Sequence, residues 1–196
     1  MINESDFYVI AIGCSAGGLE PLVEIISQLP KDLPAAIIVM HHILRNVESN
    51  LAHILERRAD IKVVAVETTE YLEPGTVYVP AYGHQLKVRD RLVMIEERSP
   101  EDIVNHSIDV LFHSLAEHAK EKSIGIILSG SGTDGLSGAY AIEKAGGIVI
   151  VQDPETAAFP RMPHTLIAND HPDYVLKPGD IRRKIVEKVR EPGSSS

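Results

Sequence analysis

The sequence predicts an α/β fold: a doubly wound, mostly parallel sheet with helices on both faces and an inserted antiparallel hairpin or meander over about residues 74–97. Three observations lead there. Short, uninterrupted apolar runs recur along the chain, the pattern of strands buried on both faces. Two of them run into glycine-rich turns that open helices. The stretches between runs carry helical apolar spacing.

Taken in order, Phe7 to Ile12 is the first predicted strand, followed by the turn Gly13 to Gly18 and a helix to about Leu29. Ala35 to Met40 is a second strand, followed by a helix around Ser49 to Arg58 and a strand at Lys62 to Val66. Thr76 to Val79, Gln85 to Val88 and Leu92 to Ile95 are short strands separated by Tyr82-Gly83 and Asp90-Arg91, connections that suit antiparallel neighbours. Ile108, Leu111, Phe112 and Leu115 then form one helical stripe. Ser123 to Leu128 is a strand, Gly135 to Ala145 a helix closed by Gly146-Gly147, and Ile148 to Gln152 a strand. A strand near Tyr174-Val175 and a helix from about Asp180 to Lys188 follow. Residues 1–190 read as a single domain and 191–196, EPGSSS, as a flexible tail or linker with no apolar side chain to dock.

Composition narrows the function. At 196 residues and 44% apolar the chain can bury a substantial core, yet no apolar run approaches the roughly 20 residues of a membrane span. The formal net charge of −9, without a long basic run, argues against nucleic acid as a partner. Met1 to Asp6 lack the basic and apolar regions of a signal peptide, and the single cysteine cannot form an internal disulfide; both predict a cytoplasmic setting. Nine histidines are scattered without a metal-binding spacing, so no metal or cofactor is expected.

Two turns carry chemistry. Gly13-Cys14-Ser15-Ala16-Gly17 is G-x-S-x-G between a strand and a helix, the setting in which a serine hydroxyl projects from a strand's carboxyl end; a plain tight turn or phosphate loop is the simpler alternative. Gly130 to Gly135 is G-x-G-x-x-G, with Asp153 after the next strand, a pattern shared with dinucleotide-binding units. Asp134, however, would set a negative charge against a pyrophosphate. A carboxylate there can instead orient a histidine, and the strand Ala35 to Met40 ends in His41-His42. Strand alternation lets one of the two face the crevice. A serine, a histidine base and an orienting acid are what acyl transfer requires. Taken singly, each is most simply a solvated loop residue.

Together these residues resemble the catalytic domain of the CheB-type protein-glutamate methylesterases of bacterial chemotaxis, from Val9 to about Leu176. The resemblance rests on Ile12 to Gly18, the strand ending at His42, Pro74 to Pro80 with Gly83-His84, Ser107 to Phe112, Leu128 to Gly135, and Gln152 through Pro163. It implies Ser15 as nucleophile, His42 as base and Asp134 as its orienting carboxylate, with His41 the alternative base; aligning His42 also brings Leu51 onto the family's downstream apolar position. It implies backbone donors to the oxyanion at Ala16 and Ser131, where the family more often has threonine and methionine. The expected reaction is hydrolysis of γ-glutamyl methyl esters on cytoplasmic helices of chemoreceptors, with deamidation of glutamines in some members. A CheR-type methyltransferase is the expected companion, and the family's usual receiver domain is expected to be absent. The competing readings are a regulatory docking module of the same fold and a dinucleotide enzyme using Gly130 to Gly135.

Overall fold

A computed structural model describes residues 7–42, 49–97 and 105–191. Its main sheet contains β1 (Tyr8–Cys14), β2 (Ala35–His41), β3 (Lys62–Val66), β5 (Thr76–Pro80), β8 (Ser123–Ile127), β9 (Ile148–Gln152) and β10 (Tyr174–Leu176). Their order is β10-β9-β8-β1-β2-β5-β3, with every pairing parallel. A second, antiparallel sheet has the order β4-β7-β6, from β4 (Glu70–Tyr71), β6 (Gln85–Arg89) and β7 (Leu92–Glu96).

Period-two alternation divides the strand side chains between two cores. Ile10, Ile12, Ile37, Val39 and Ile126 face one side, where they meet α1 (Leu19–Ser27), α2 (Leu51–Glu56) and α6 (Pro178–Arg190). Val9, Ala11, Ile38, Met40 and Ile127 face the other, against α3 (Ser107–Ala119), α4 (Leu136–Lys144) and α5 (Arg161–Asn169). The stripe Ile108, Leu111, Phe112 and Leu115 is fully buried, as its spacing predicts.

The expected α/β architecture is present, with two differences in detail. Thr76 to Val79 does not belong to the antiparallel insertion: β5 lies between β2 and β3 in the parallel sheet. All five of its residues are buried, as befits a strand covered on both faces, whereas β6 and β7 include exposed or half-exposed positions. The antiparallel partner on the far side of β7 is instead the two-residue β4. The buried Tyr78 hydroxyl ties the two sheets together, donating to Tyr71 O at 2.7 Å and accepting from Glu73 N at 2.9 Å. The second difference is α5, a helix that begins after Pro160 and carries Pro163 in its first turn, where the missing N–H breaks no helical bond. The β6–β7 hairpin matches expectation: Asp90 and Arg91 both have positive φ, the geometry of a two-residue type I′ turn. The tail beyond Glu191 lies outside the described residues.

Strand order locates the crevice. β1 and β8 are neighbours, but β1 leads to α1 on one face and β8 to α4 on the other. The connections diverge at the carboxyl ends of these strands, the position where open α/β sheets take ligands.

Candidate active site

Ser15 follows β1 directly, and His42 follows β2. The last pair of the β1–β2 ladder is Cys14 with His41, so Ser15 and His42 stand one step beyond it. His42 N donates to Cys14 O at 3.1 Å, and Ser15 N to Ser129 O at 3.0 Å, which extends the sheet into the three loops. Alternation separates the two histidines: Ala36, Ile38 and Met40 face α3, which sends His42 to that side and His41 to the other.

Each glycine of the G-x-S-x-G stretch answers to close packing. A Cβ on Gly13 would lie 2.5 Å from Ile108 Cγ2, at the start of α3. Gly17 has φ +68°, and a Cβ there would lie 2.8 Å from Ala158 Cβ. On the opposite loop, a Cβ on Gly130 would lie 3.2 Å from Ser15 Cβ and 2.8 Å from the Met162 sulfur. Cys14, beside the serine, is fully buried, and burial pushes its thiol up to about 12, so it carries no useful thiolate.

The structure brings His42 and Asp134 together: Nε2 and Oδ2 are 2.7 Å apart. A carboxylate only accepts, so His42 donates from Nε2 and keeps its lone pair on Nδ1. Asp134 is 5% exposed, and its charge is answered by α3. Oδ2 accepts from Ile108 N and Oδ1 from Asp109 N, each at 2.8 Å. These are N–H groups of the first helical turn, which have no partner within the helix and sit at its positive end. His41 has no such partner. Burial first, and the charge on His42 next, hold its pKa below the usual histidine range, partly offset by a hydrogen bond to the Ser15 backbone.

Among the described residues, the N–H groups of Ala16 and Ser131 make no hydrogen bond. Ser129 and Gln152 brace the loops that carry them, a role sequence reasoning did not assign to either residue. Ser129 Oγ donates to Ala16 O at 2.8 Å and accepts from Phe159 N at 3.0 Å. Gln152 Oε1 accepts from Ser129 N at 2.9 Å, while its amide nitrogen donates to Thr156 O and Oγ1. The available signal was a glutamine ending an otherwise apolar strand, where a buried amide needs partners.

The dinucleotide alternative loses the support that Asp153 gave it, and Asp134 is already committed elsewhere. Asp134 is turned inward onto α3 and His42, and Asp153 caps the following turn by accepting from Glu155 N at 3.0 Å. His106, Asp109 and Asp134 come close enough to share a cation, their ligand atoms lying within 4.8 Å of one another. Both Asp134 oxygens already face N–H donors that a cation would have to displace.

The profile of the CheB methylesterase family matches residues 10–185. The chain belongs to that family. A Leptospira interrogans relative bearing the name of a protein-glutamate methylesterase/protein-glutamine glutaminase is 35% identical over 172 residues, covering 87% of this chain and 89% of the relative. The Thermotoga maritima protein-glutamate methylesterase/protein-glutamine glutaminase is 35% identical over 185 residues, 92% of this chain but 54% of its own length. The crystal structure of the Thermotoga maritima CheB methylesterase catalytic domain superposes with a TM-score of 0.86 at 32% identity, covering 94% of this chain and 100% of that one. The chain thus corresponds to the catalytic part of the longer CheB relatives. Among the described residues, no helix is long and apolar enough to cross a membrane.

Proposed function

We propose that this CheB-family chain is a protein-glutamate methylesterase in which Ser15, His42 and Asp134 form the catalytic triad. The observation that carries the assignment is the 2.7 Å His42–Asp134 bond, made by the histidine that stands opposite Ser15 one step beyond the β1–β2 ladder. His42 Nδ1 takes the Ser15 proton as Oγ attacks the γ-carbonyl of a glutamyl methyl ester. The tetrahedral oxyanion lies against the Ala16 and Ser131 N–H groups, donors on two loops that Ser129 and Gln152 brace. Asp134 stabilises the imidazolium, which returns its proton to the departing methanol, and water then releases the glutamate by the same steps in reverse. With ammonia as leaving group the same route deamidates glutamine, the second activity in the relatives' names.

The substrates in this reading are methylated chemoreceptors, which a CheR-type methyltransferase would supply. Two open grooves border the turns that carry the site and suit a macromolecular substrate: one is lined by Gly17, Leu19, Val23, Ile54 and Arg58, the other by Ser131, Phe159, Arg161 and His164. Methanol release from a methylated receptor fragment tests the proposal. Wild-type release that disappears in Ser15→Ala supports it; release unaffected by the substitution, or none from wild type while the protein binds receptor, points to another nucleophile or to a docking module.

A further inference from the structure

Asp134 and Asp109 cap each other's helices. Asp134, just before α4, accepts from Ile108 N and Asp109 N in the first turn of α3. Asp109, in that first turn, accepts through Oδ1 from Gly135 N at 3.1 Å and Gly138 N at 2.8 Å, at the start of α4. The exchange closes a ring of four hydrogen bonds between two helix N-termini, each of which otherwise leaves donors unsatisfied. Gly135 has φ +95° and is packed against Ile127 and Ile108, so the residue after Asp134 is locked in a conformation only glycine adopts readily. The carboxylate facing His42 is therefore placed by the turn that Asp109 holds.

We infer that Asp109 is a positioning residue for the triad, acting through the location of its acceptor oxygen, which fixes the Asp134–Gly135 turn and hence the Asp134 carboxylate on His42 Nε2. The inference rests on the triad reading above. Burial raises the Asp109 pKa, the Gly138 N–H lowers it, and the Asp134 charge raises it again. His106 Nδ1, 3.8 Å from Asp109 Oδ2, and His113 on the same helix add positive charge when protonated. Asp109 thus sits amid competing charges, and a test must separate its charge from its position.

Two substitutions do so. Asp109→Asn keeps an acceptor oxygen at the same distance along the side chain and removes the charge. Asp109→Glu keeps the charge and moves the oxygens by one methylene. Positioning predicts that Asp109→Glu lowers kcat by on the order of a hundredfold with KM little changed, the scale of a misplacement of about 1 Å. Asp109→Asn should lose only a few-fold. In parallel, the His42 Nε2–H proton, followed by NMR without substrate, should keep its hydrogen-bonded shift and slow exchange in Asp109→Asn and lose both in Asp109→Glu. The proton signal reads the His42–Asp134 bond whether or not the chain hydrolyses esters, so failure of the methylesterase reading would not be mistaken for failure here. Asp109→Glu retaining wild-type kcat and proton signal, or Asp109→Asn being as damaged as Asp109→Glu, would overturn the inference.

Discussion

His42 Nε2 and Asp134 Oδ2 lie 2.7 Å apart although 92 residues separate them in the chain. The contact joins the end of β2 to the loop after β8, two strands that flank β1 on opposite sides. It also assigns the ring: with Nε2 committed to the carboxylate, the nitrogen left for proton transfer is Nδ1, which is the reverse of the assignment in the serine-protease triad.

Asp134→Asn should lower kcat while leaving folding and substrate docking nearly intact. The amide oxygen keeps one N–H bond from the start of α3 while its NH2 faces the other donor, and the amide cannot stabilise an imidazolium and favours the wrong tautomer. The corresponding change in a serine protease costs about ten-thousandfold. Here a loss of at least roughly a hundredfold is expected, because Asp134 is buried and solvent screens its charge little. Steady-state methanol release from methylated receptor fragment checks this; a wild-type kcat would remove Asp134 from the mechanism.

Ser15→Ala should abolish hydrolysis, and Cys14→Ala should retain most of it. The thiol lies in the core with its pKa raised to about 12, so no thiolate is on hand to substitute for the hydroxyl. Labelling by a serine-directed phosphonate, read by intact-mass spectrometry, should follow the same pattern. Labelling that persists in Ser15→Ala would refute the assignment.

The histidines should part company in two assays. His42→Gln is expected to be far more damaging to kcat than His41→Gln, since only His42 touches Asp134. His41 should appear instead in the pH dependence of stability. Its pKa is lowered in the folded state, so on acidification the unfolded chain takes up a proton that the native one resists. Its contribution is present above the ordinary histidine value of about 6.5 and is lost as pH falls through the lowered value. Thermal melts between about pH 7.5 and about pH 5.5 should therefore fall more steeply for wild type than for His41→Gln. Parallel curves would contradict this.

Gly13→Ala should harm the site from beneath. The new methyl would lie 2.5 Å from Ile108 Cγ2, an atom next to the backbone of a stiff β-branched residue that cannot swing aside. Overpacking of this kind costs about 1–3 kcal/mol. Because Ile108 N holds Asp134, part of the strain should reach the triad and reduce kcat beyond what the stability loss explains. Denaturant melts paired with kinetics separate the two; a destabilised protein with unchanged kcat would show that the strain stops at the core.

What could be read in the sequence follows from how local each signal is. The strands Ile10, Ile12 and Ile37, Val39 and the stripe from Ile108 to Leu115 declare themselves through period alone. The strand β5 was legible but misassigned: short connections suggested antiparallel neighbours, while the unbroken apolar run Val77-Tyr78-Val79 carried the better signal, a strand covered on both faces. The helix α5 had little to show, since Pro160 and Pro163 flank its start and only Met162, Pro163 and Leu166 are buried. At the site, Ser15 and Asp134 could be named from their turns. The choice between His41 and His42 needed the strand's facing, and the parts played by Asp109, Ser129 and Gln152 needed contacts between loops more than twenty residues apart.

Cys14 is the sole cysteine in 196 residues and is sealed in the core beside Ser15. Its alkylation rate therefore measures how often the carboxyl end of β1 comes open. The thiol can react only when that end of the strand separates from β2 and β8, so the ratio of its rate in the native protein to that in the unfolded chain gives the opening equilibrium at one known place. Comparing that equilibrium with the global unfolding free energy would tell whether the nucleophile's strand breathes on its own or yields only when the whole sheet does. The chain thus carries its own clock, set one residue from the reacting hydroxyl, and it needs no engineered label to be read.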